Sequence, residues 1–345
     1  MFVRWESQAV SAELDPRLPG FTEDVVVRRF DAPEALDTRF HEVRTKSAIN
    51  RVPTVSRVPF EWTVNPYRGC SHACSYCFAR PTHEYLDYDA GRDFEKEIIV
   101  KVNVPEVLRA ELARPSWKGE HIALGTNTDP YQWVEGRYKL MRGIWEAMRD
   151  FANPCSILTK SPLVLRDADL LCQIAERAQV SACLSVPTLD EKAWRSTEPH
   201  TPNPRARLEA VAELNRLGIP TGILIAPLMP GINDSPEQIE RIVALATEAG
   251  AVHIGGQTLF LRGSVKEVFF DYLRAHRPDL VNRYTKLYAS GAYLAADERR
   301  AIELKAGVPW ARRPDRERYH RRGVGRRRER PAEPRRREAP QESLF

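Results

Sequence analysis

The chain reads Asn65-Pro66-Tyr67-Arg68-Gly69-Cys70-Ser71-His72-Ala73-Cys74-Ser75-Tyr76-Cys77 in its most informative segment, directly after a short apolar run. Cys70, Cys74 and Cys77 follow a C-x3-C-x2-C spacing. Three thiolates can bind three irons of a cubane cluster and leave the fourth iron open. Because no further cysteine lies nearby in the sequence, the segment predicts a [4Fe–4S] cluster with one open iron.

A structural zinc site, with His72 or His83 as the fourth ligand, is the alternative interpretation. Such sites usually combine two paired ligand elements, for example C-x2-C with a distant second pair. The sequence contains no second element of this kind, so the cluster is favoured.

From about residue 61, short apolar strands alternate with segments of helical periodicity. Strands are predicted at 62–64, 122–124, 156–158, 182–186, 223–226 and 253–255. Helices are predicted between them at 104–113, 140–151, 167–178, 205–217 and 236–249. This alternation implies parallel β/α units. The predicted fold class is therefore α/β, a partial (β/α)6 barrel.

The two ends of the chain differ from this middle part. Residues 1–50 show no strong periodicity and are predicted to form an irregular N-terminal extension. Residues 51–307 are predicted to form the barrel domain with C-terminal helices, and 308–345 a disordered, arginine-rich tail. Between Arg312 and Glu338 the tail has 13 arginines and five acidic residues, a net +8, so the rest of the chain sums to −3 of the total +5. This separated charge indicates a tail suited to nucleic acid.

The composition, 42% hydrophobic and 29% charged residues, is that of a globular chain with a core. No run approaches the ~20 apolar residues of a membrane span. The N-terminal residues lack the apolar region of a signal peptide. We therefore expect a cytoplasmic protein without membrane contact.

The cysteine loop, with Tyr76 before its third cysteine, resembles the signature of radical S-adenosylmethionine (SAM) enzymes. The wider pattern resembles the spore photoproduct lyase-related branch of that superfamily over residues 45–275. Segments that carry this second resemblance lie at 65–70, 125–132, 158–161, 198–199 with Pro204 and Arg207, and 226–234. The resemblance implies that SAM chelates the open iron. An electron from a flavodoxin- or ferredoxin-type donor then cleaves SAM into methionine and a 5′-deoxyadenosyl radical.

The resemblance also implies contacts to SAM. Members of the superfamily bind the methionine amino group with a polar segment after the second strand, where this chain has Thr126, Asn127, Thr128 and Asp129. The alternative role for Asp129, which precedes a proline, is turn formation.

Further contacts to SAM are expected from Tyr76, Lys160, Ser185 and Arg207. Lys160, at the end of the third strand, is a candidate partner for the SAM carboxylate. The alternatives are a solvated loop lysine at Lys160 and a surface charge at Arg207.

The function implied is radical SAM chemistry on an unidentified substrate, with nucleic acid favoured. Modification of a peptide or small molecule is one alternative. A DNA-associated adaptor with a structural or redox-sensing cluster is another.

The sequence departs from spore photoproduct lyase in one respect, because that lyase depends on a hydrogen-donating cysteine near the second strand. This chain has no cysteine between Cys77 and Cys155, so repair of that thymine adduct by the same route is not expected.

The last five residues resemble the short peptide that binds the bacterial sliding clamp. Gln341, Leu344 and Phe345 stand at the matching positions, and Glu342 departs from the leucine often found second. Two adjacent apolar anchors at the end of a disordered tail can dock in a pocket and order on contact. The tail is therefore predicted to bind the clamp.

Overall fold

A computed structural model describes residues 10–15, 18–21, 25–30, 32, 35, 37–53, 56 and 58–305 of the chain. Its strands are β1 (Val10–Asp15), β2 (Val25–Phe30), β3 (Arg39–Val43), β4 (Ile49–Arg51), β5 (Trp62–Val64), β6 (Tyr67–Arg68), β7 (Glu97–Lys101), β8 (Ile122–Leu124), β9 (Cys155–Thr159), β10 (Val180–Ser185), β11 (Thr221–Leu228) and β12 (Ile254–Thr258). Its α-helices are α1 (Arg92–Lys96), α2 (Val104–Leu112), α3 (Glu135–Tyr138), α4 (Leu140–Asp150), α5 (Ala168–Ala175), α6 (Glu191–Thr197), α7 (Pro204–Arg216), α8 (Pro236–Glu248), α9 (Ser264–His276), α10 (Val281–Leu287) and α11 (Ala296–Lys305). Short 3-10 helices lie at Arg80–Thr82, Glu84–Leu86, Pro162–Asp167 and Pro278–Leu280.

The main sheet has the strand order β12-β11-β10-β9-β8-β5-β4 within the described residues. Neighbouring strands pair in parallel from β12 to β5, and β4 runs antiparallel to β5 at the edge. The parallel strands match the six that the sequence predicts, and α2, α4, α5, α7 and α8 match the predicted helices. The prediction of a partial (β/α)6 barrel is confirmed.

The two faces of this sheet differ in burial. In β10, Val180, Ala182 and Leu184 are buried in the core that packs against the helices. Ser181 and Cys183 alternate with them and are only partly buried. Because successive side chains of a strand point to opposite faces, Ser181 and Cys183 lie on the inner face, where Leu158 of β9 pairs with Cys183 and is also partly buried. Parallel β/α folds place their chemistry at the C-terminal ends of these strands.

The described part of residues 1–50 is more regular than the sequence suggested, which corrects the expected irregular extension. Strands β1 to β3 join β7 and β6 in a second sheet of order β1-β2-β3-β7-β6. Glu97 on β7 accepts hydrogen bonds from Arg39 at 2.6 Å and contacts His41 at 2.7 Å, both on β3. Strand β3 pairs with β2 on one side and with β7 on the other, and β7 lies more than 50 residues further along the chain, so no local periodicity reveals this second pairing.

Two other expectations concern the C-terminal tail and membrane-spanning helices. The predicted disordered tail, 308–345, lies outside the described residues. Among the helices that are described, none combines the length and apolar character needed to cross a membrane.

Candidate active site

The cysteine loop follows β6 and is shaped by two residues with left-handed backbone conformation. Gly69 has a φ of +82° and Ala73 a φ of +55°. A Cβ atom at Gly69 would lie 2.8 Å from His83 Cε1 and 2.9 Å from the Phe94 carbonyl oxygen, so glycine is required there. Cys70 donates its backbone N–H to the same Phe94 carbonyl at 3.0 Å. The start of the loop is thereby fixed against the segment that precedes β7.

Arg80 supports the loop from its C-terminal side, a role that the sequence analysis missed. Its side chain is fully buried and donates hydrogen bonds to the carbonyl oxygens of Cys74 at 3.0 Å and Ala73 at 3.2 Å. It also pairs with Glu95. Buried carbonyl groups need such partners, so Arg80 orders the loop independently of any cluster.

The three loop cysteines are free thiols, with Cys70 and Cys74 buried and Cys77 partly buried. Burial, the Glu198 carboxylate and the neighbouring sulfurs raise the pKa of Cys74. Burial and Cys70 raise the pKa of Cys77. Thiolates in such a place need nearby positive charge, which the irons of a cluster supply. The donor set therefore fits a cubane cluster.

The histidines considered as zinc ligands have protein partners instead. His83 Nε2 contacts the Glu97 carbonyl oxygen at 2.8 Å, and His72 Nδ1 lies 3.4 Å from Asp129 Oδ2. No three His, Cys, Asp or Glu side chains of the described residues converge on one ion position. A cubane does not require such convergence, because each thiolate binds a different iron.

The polar segment 126–129 follows β8 and lies against the cysteine loop. Thr128 donates its hydroxyl to the Gly69 carbonyl oxygen at 2.6 Å. Asn65, which enters the loop, accepts the N–H of Asn127 at 3.2 Å and contacts the Thr126 hydroxyl. The structure thus brings the predicted SAM-binding segment next to the predicted cluster loop.

Gln132 completes this contact, and the sequence analysis did not single it out. Its buried side-chain oxygen accepts the N–H of Ser71 at 2.9 Å. Its nitrogen donates to the Thr128 hydroxyl at 3.0 Å and to the Gly69 carbonyl at 3.2 Å. The only sequence signal for Gln132 was its place within the 125–132 resemblance.

Asp129 has a protein donor for each side-chain oxygen. Oδ1 accepts the Thr159 hydroxyl at 2.7 Å and the Tyr131 N–H at 2.9 Å, and Oδ2 accepts the Lys160 N–H at 2.8 Å and faces His72. Burial alone raises the pKa of Asp129, but the charge of His72 and these hydrogen bonds outweigh burial and lower the pKa to about 2. Asp129 therefore links the cysteine loop to the end of β9.

Lys160 follows β9 and stands over the ring of Tyr76. Its Nζ lies 5.7 Å from the ring centre, 3.0 Å from Ser185 Oγ and 3.6 Å from Glu198 Oε1. Burial alone lowers the pKa of Lys160, but the Glu198 and Cys74 charges raise it, so the ammonium group stays charged. An ammonium group has three N–H donors. Ser185 and Glu198 engage two at most, which leaves capacity for an anionic ligand.

Glu198 is the centre of this group, and the sequence analysis did not predict it as a site residue. It is completely buried, accepts a hydrogen bond from the Tyr76 hydroxyl and pairs with Arg207 at 2.7 Å. Burial alone raises the pKa of Glu198, but the Arg207 and Lys160 charges lower it to about 2. Its place in the 198–199 resemblance was a signal that could have identified it.

Arg207 is also completely buried, which excludes the surface-charge alternative. Besides Glu198, it donates to the Ser185 carbonyl at 2.8 Å, the Thr201 hydroxyl at 2.7 Å and the Pro202 carbonyl at 3.0 Å. The structure therefore gathers Tyr76, Lys160, Ser185 and Arg207 into one network around Glu198. Residues 126–128 lie apart from it, on the Asn65 and Gly69 side of the loop.

A glycine at the start of the polar segment provides a test of this arrangement. Gly125 has a φ of +79°, and a Cβ there would lie 1.8 Å from the Leu158 carbonyl oxygen. We expect Gly125→Ala to lower the free energy of unfolding by more than about 2 kcal/mol, because both the backbone conformation and the space forbid a side chain. Gly136→Ala, where a Cβ meets no atom within 4 Å, is the matched control. Equal thermal stability of the two variants would contradict the geometry.

Comparisons with known proteins identify the family of this chain. Residues 64–246 match the family model of the radical SAM superfamily. An uncharacterized protein of Mycobacterium tuberculosis is 44% identical over 304 residues, which cover 87% of this chain and 89% of the relative. An uncharacterized protein of Methanocaldococcus jannaschii is 30% identical over 194 residues, covering 56% of this chain and 69% of the relative.

Solved structures show the same fold. Spore photoproduct lyase complexed with a dinucleoside spore photoproduct has a TM-score of 0.57 at 14% identity, covering 86% of this chain and 84% of that one. A variant of the lyase with bound SAM and the same photoproduct has a TM-score of 0.55 at 16% identity, covering 82% and 79%. Family membership implies a [4Fe–4S] cluster and SAM as cofactors. On the family match, the chain belongs to the radical SAM superfamily, and its fold is that of spore photoproduct lyase.

Proposed function

We propose that this enzyme reductively cleaves SAM at a [4Fe–4S] cluster held by Cys70, Cys74 and Cys77, and that its substrate is a nucleic acid. The observation that carries the first part is the juxtaposition of three free thiols with two polar groups, the 126–129 segment and the Lys160–Glu198 network. When bound, the cluster and SAM supply the electron transfer and the radical. The protein supplies position and charge.

Different residues of the site have different roles in binding SAM. Lys160, charged and with a spare donor, is suited to the SAM carboxylate. Glu198 holds Lys160 and Tyr76 in place, and Arg207 neutralises Glu198 from the side away from Tyr76. Direct contacts of Ser185 and Arg207 to SAM stay predictions, since their present partners support a positioning role. The Tyr76 ring, whose centre lies 5.7 Å from Lys160 Nζ, helps to orient the ammonium group.

Asp129 gives a prediction that distinguishes cofactor binding from cluster binding. We expect Asp129→Ala to keep iron and sulfide but to weaken SAM affinity by about 1–3 kcal/mol, the cost of losing a charged hydrogen-bonding group. Asp129 can affect SAM binding in two ways. Its carboxylate can contact the SAM amino group directly, or its loss can displace Lys160, whose backbone N–H it accepts. Affinity is measured by anaerobic titration of cluster-loaded protein. Unchanged affinity in a folded, cluster-loaded variant would leave Asp129 as a turn former.

Support for a nucleic-acid substrate comes from two independent features. The fold is that of a lyase solved with a dinucleoside photoproduct, and the arginine-rich tail is suited to phosphate attraction. The absence of a cysteine between Cys77 and Cys155 argues for a reaction other than the lyase's own repair route. The proposal includes a flavodoxin- or ferredoxin-type electron donor. It also includes a cytoplasmic location, where reducing conditions suit such a cluster.

Anaerobic incubation with SAM and a reductant tests the enzyme class. We expect 5′-deoxyadenosine and methionine from the cluster-loaded protein and none from a variant with all three loop cysteines replaced by alanine. Addition of modified oligonucleotides, followed by mass analysis, identifies the reaction. A cluster-loaded protein that never cleaves SAM would support the adaptor alternative. Cleavage that only peptides or small molecules stimulate would support the other alternative.

The C-terminal peptide gives a separate prediction about partners. If Gln341, Leu344 and Phe345 bind the sliding clamp, full-length protein should bind the bacterial clamp with micromolar affinity, ~−8 kcal/mol. Deletion of Leu344 and Phe345 should abolish binding, because these side chains are the apolar anchors. These residues lie outside the described part of the chain. Equal binding with and without them would give the tail another purpose.

A further inference from the structure

Two cations on the second sheet stand out because they lack an acidic partner among the described residues. Arg68 lies on β6 opposite Ile99 of β7, and Lys101 lies two residues further along β7. Diagonal neighbours on one face of an antiparallel pair are about 7–8 Å apart. Both side chains are partly buried, so neither is an ordinary solvated surface charge.

The hydrogen bonds of this pair leave most donors free for a ligand. Lys101 Nζ donates to the Asn65 carbonyl oxygen at 3.1 Å. The Arg68 guanidinium forms no hydrogen bond or ion pair within the described chain, and neither cation is bound to a carboxylate there. An ammonium group offers three N–H donors and a guanidinium group five.

The electrostatic environment of the two cations is unfavourable. Burial lowers the pKa of Lys101 to about 8, and the charge of Arg68 contributes to that shift. Other buried arginines of this chain are matched by carboxylates, as Arg80 is by Glu95 and Arg207 by Glu198. Two poorly solvated like charges destabilise the fold unless an anion compensates them.

We propose that Arg68 and Lys101 form a binding site for a phosphate or phosphodiester group. Guanidinium and ammonium groups together are suited to phosphate oxygens, the first as a planar fork and the second as a point charge. The site adjoins the active site through Asn65, whose carbonyl binds Lys101 and whose side chain binds Asn127.

Two sources can supply the phosphate group: the backbone of a nucleic acid, or a free phosphate compound. Only the nucleic-acid source rests on the proposed function. Tyr85 favours the first. Tyr85 is 77% exposed and lies within electrostatic range of Arg68. Exposed aromatic rings beside cations are typical of surfaces that bind single-stranded nucleic acid.

Inorganic phosphate is the first probe, added to cluster-loaded full-length protein with chloride at equal ionic strength as reference. We expect phosphate to raise the thermal midpoint more than chloride does, because a ligand of the native state stabilises it. Lys101→Met and Arg68→Gln should each weaken phosphate affinity about tenfold or more, as expected for a lost charged hydrogen bond. Without phosphate, Lys101→Met should raise the midpoint, whereas loss of a merely structural lysine would lower it.

The matched controls are Lys118→Met and Arg114→Gln, which remove the same charges from exposed positions between α2 and β8 and should keep the phosphate response. Competition between phosphate and a short single-stranded oligonucleotide, lost in Lys101→Met, identifies the nucleic-acid source. Phosphate binding without competition identifies a free phosphate compound. A response to phosphate equal to that of chloride, or equal in Lys101→Met and the unchanged protein, overturns the site. None of these measurements requires SAM cleavage, so failure of this site and failure of the proposed function are distinguishable.

Discussion

Replacement of Cys70, Cys74 and Cys77 with alanine is expected to remove all cluster iron and sulfide and to abolish SAM cleavage. The anaerobically purified protein should hold about four irons and four sulfides per chain, as cubane ligation requires. The loop itself should persist, because Arg80 and the Gly69 turn hold its backbone without help from the sulfurs. Metal analysis together with the absorption spectrum measures the loss.

Cys172→Ala is the matched control for this experiment, since Cys172 is a free thiol on α5, away from the loop. It should leave iron, sulfide and SAM cleavage unchanged. Stoichiometric zinc in the unchanged protein, in place of iron and sulfide, would contradict the cluster and revive the zinc alternative.

Glu198→Gln is expected to lower the free energy of unfolding by about 3–5 kcal/mol, the usual effect of removing one member of a buried ion pair. Glu198 and Arg207 both have side chains with no solvent exposure. The variant leaves the Arg207 and Lys160 charges without their shared carboxylate. It should also weaken SAM binding, because Tyr76 and Lys160 lose the group that positions them.

The control for this prediction is Glu191→Gln, which breaks the exposed Glu191–Arg195 pair on nearby α6. Exposed pairs contribute about 0–1 kcal/mol, so the control should unfold almost like the unchanged protein. The double variant Glu198→Gln with Arg207→Met should be less destabilised than the sum of the single variants, since no buried arginine is left unpaired. Thermal unfolding of cluster-loaded protein, with iron content checked first, gives these values. Additive losses would mean that the two residues do not act as a pair.

Glu198 also predicts how the free energy of unfolding changes at low pH. The pKa of Glu198 is about 2 in the folded protein, below the ordinary value of 4.5. A carboxylate with a depressed folded pKa stabilises the fold above its ordinary pKa, and this contribution is lost as the pH falls toward the folded value. Glu198→Gln should therefore flatten the loss of stability between about pH 4.5 and 2.

The cysteine loop and the barrel strands were predictable from the sequence because their signals are local. The C-x3-C-x2-C spacing spans eight residues, and each apolar strand stands out from its polar neighbours within a short window. Helices such as α7 and α8 show their periodicity within 13 residues each. The sequence by itself therefore determined three things: the cysteine loop, the alternation of strands and helices, and the family.

Only the tertiary structure decided which distant residues complete the site. Tyr76 and Glu198 are 122 positions apart, and their hydrogen bond exists because the end of α6 packs against the cysteine loop, where Ser75 donates its backbone N–H to the Thr197 carbonyl oxygen. Arg207, for which the sequence left a surface charge as an alternative, is buried against Glu198. The pairing of β3 with β7 joins Arg39 to Glu97, 58 positions further along the chain. The physical reason is common to all three, because burial and pairing depend on chain segments that local sequence patterns do not connect.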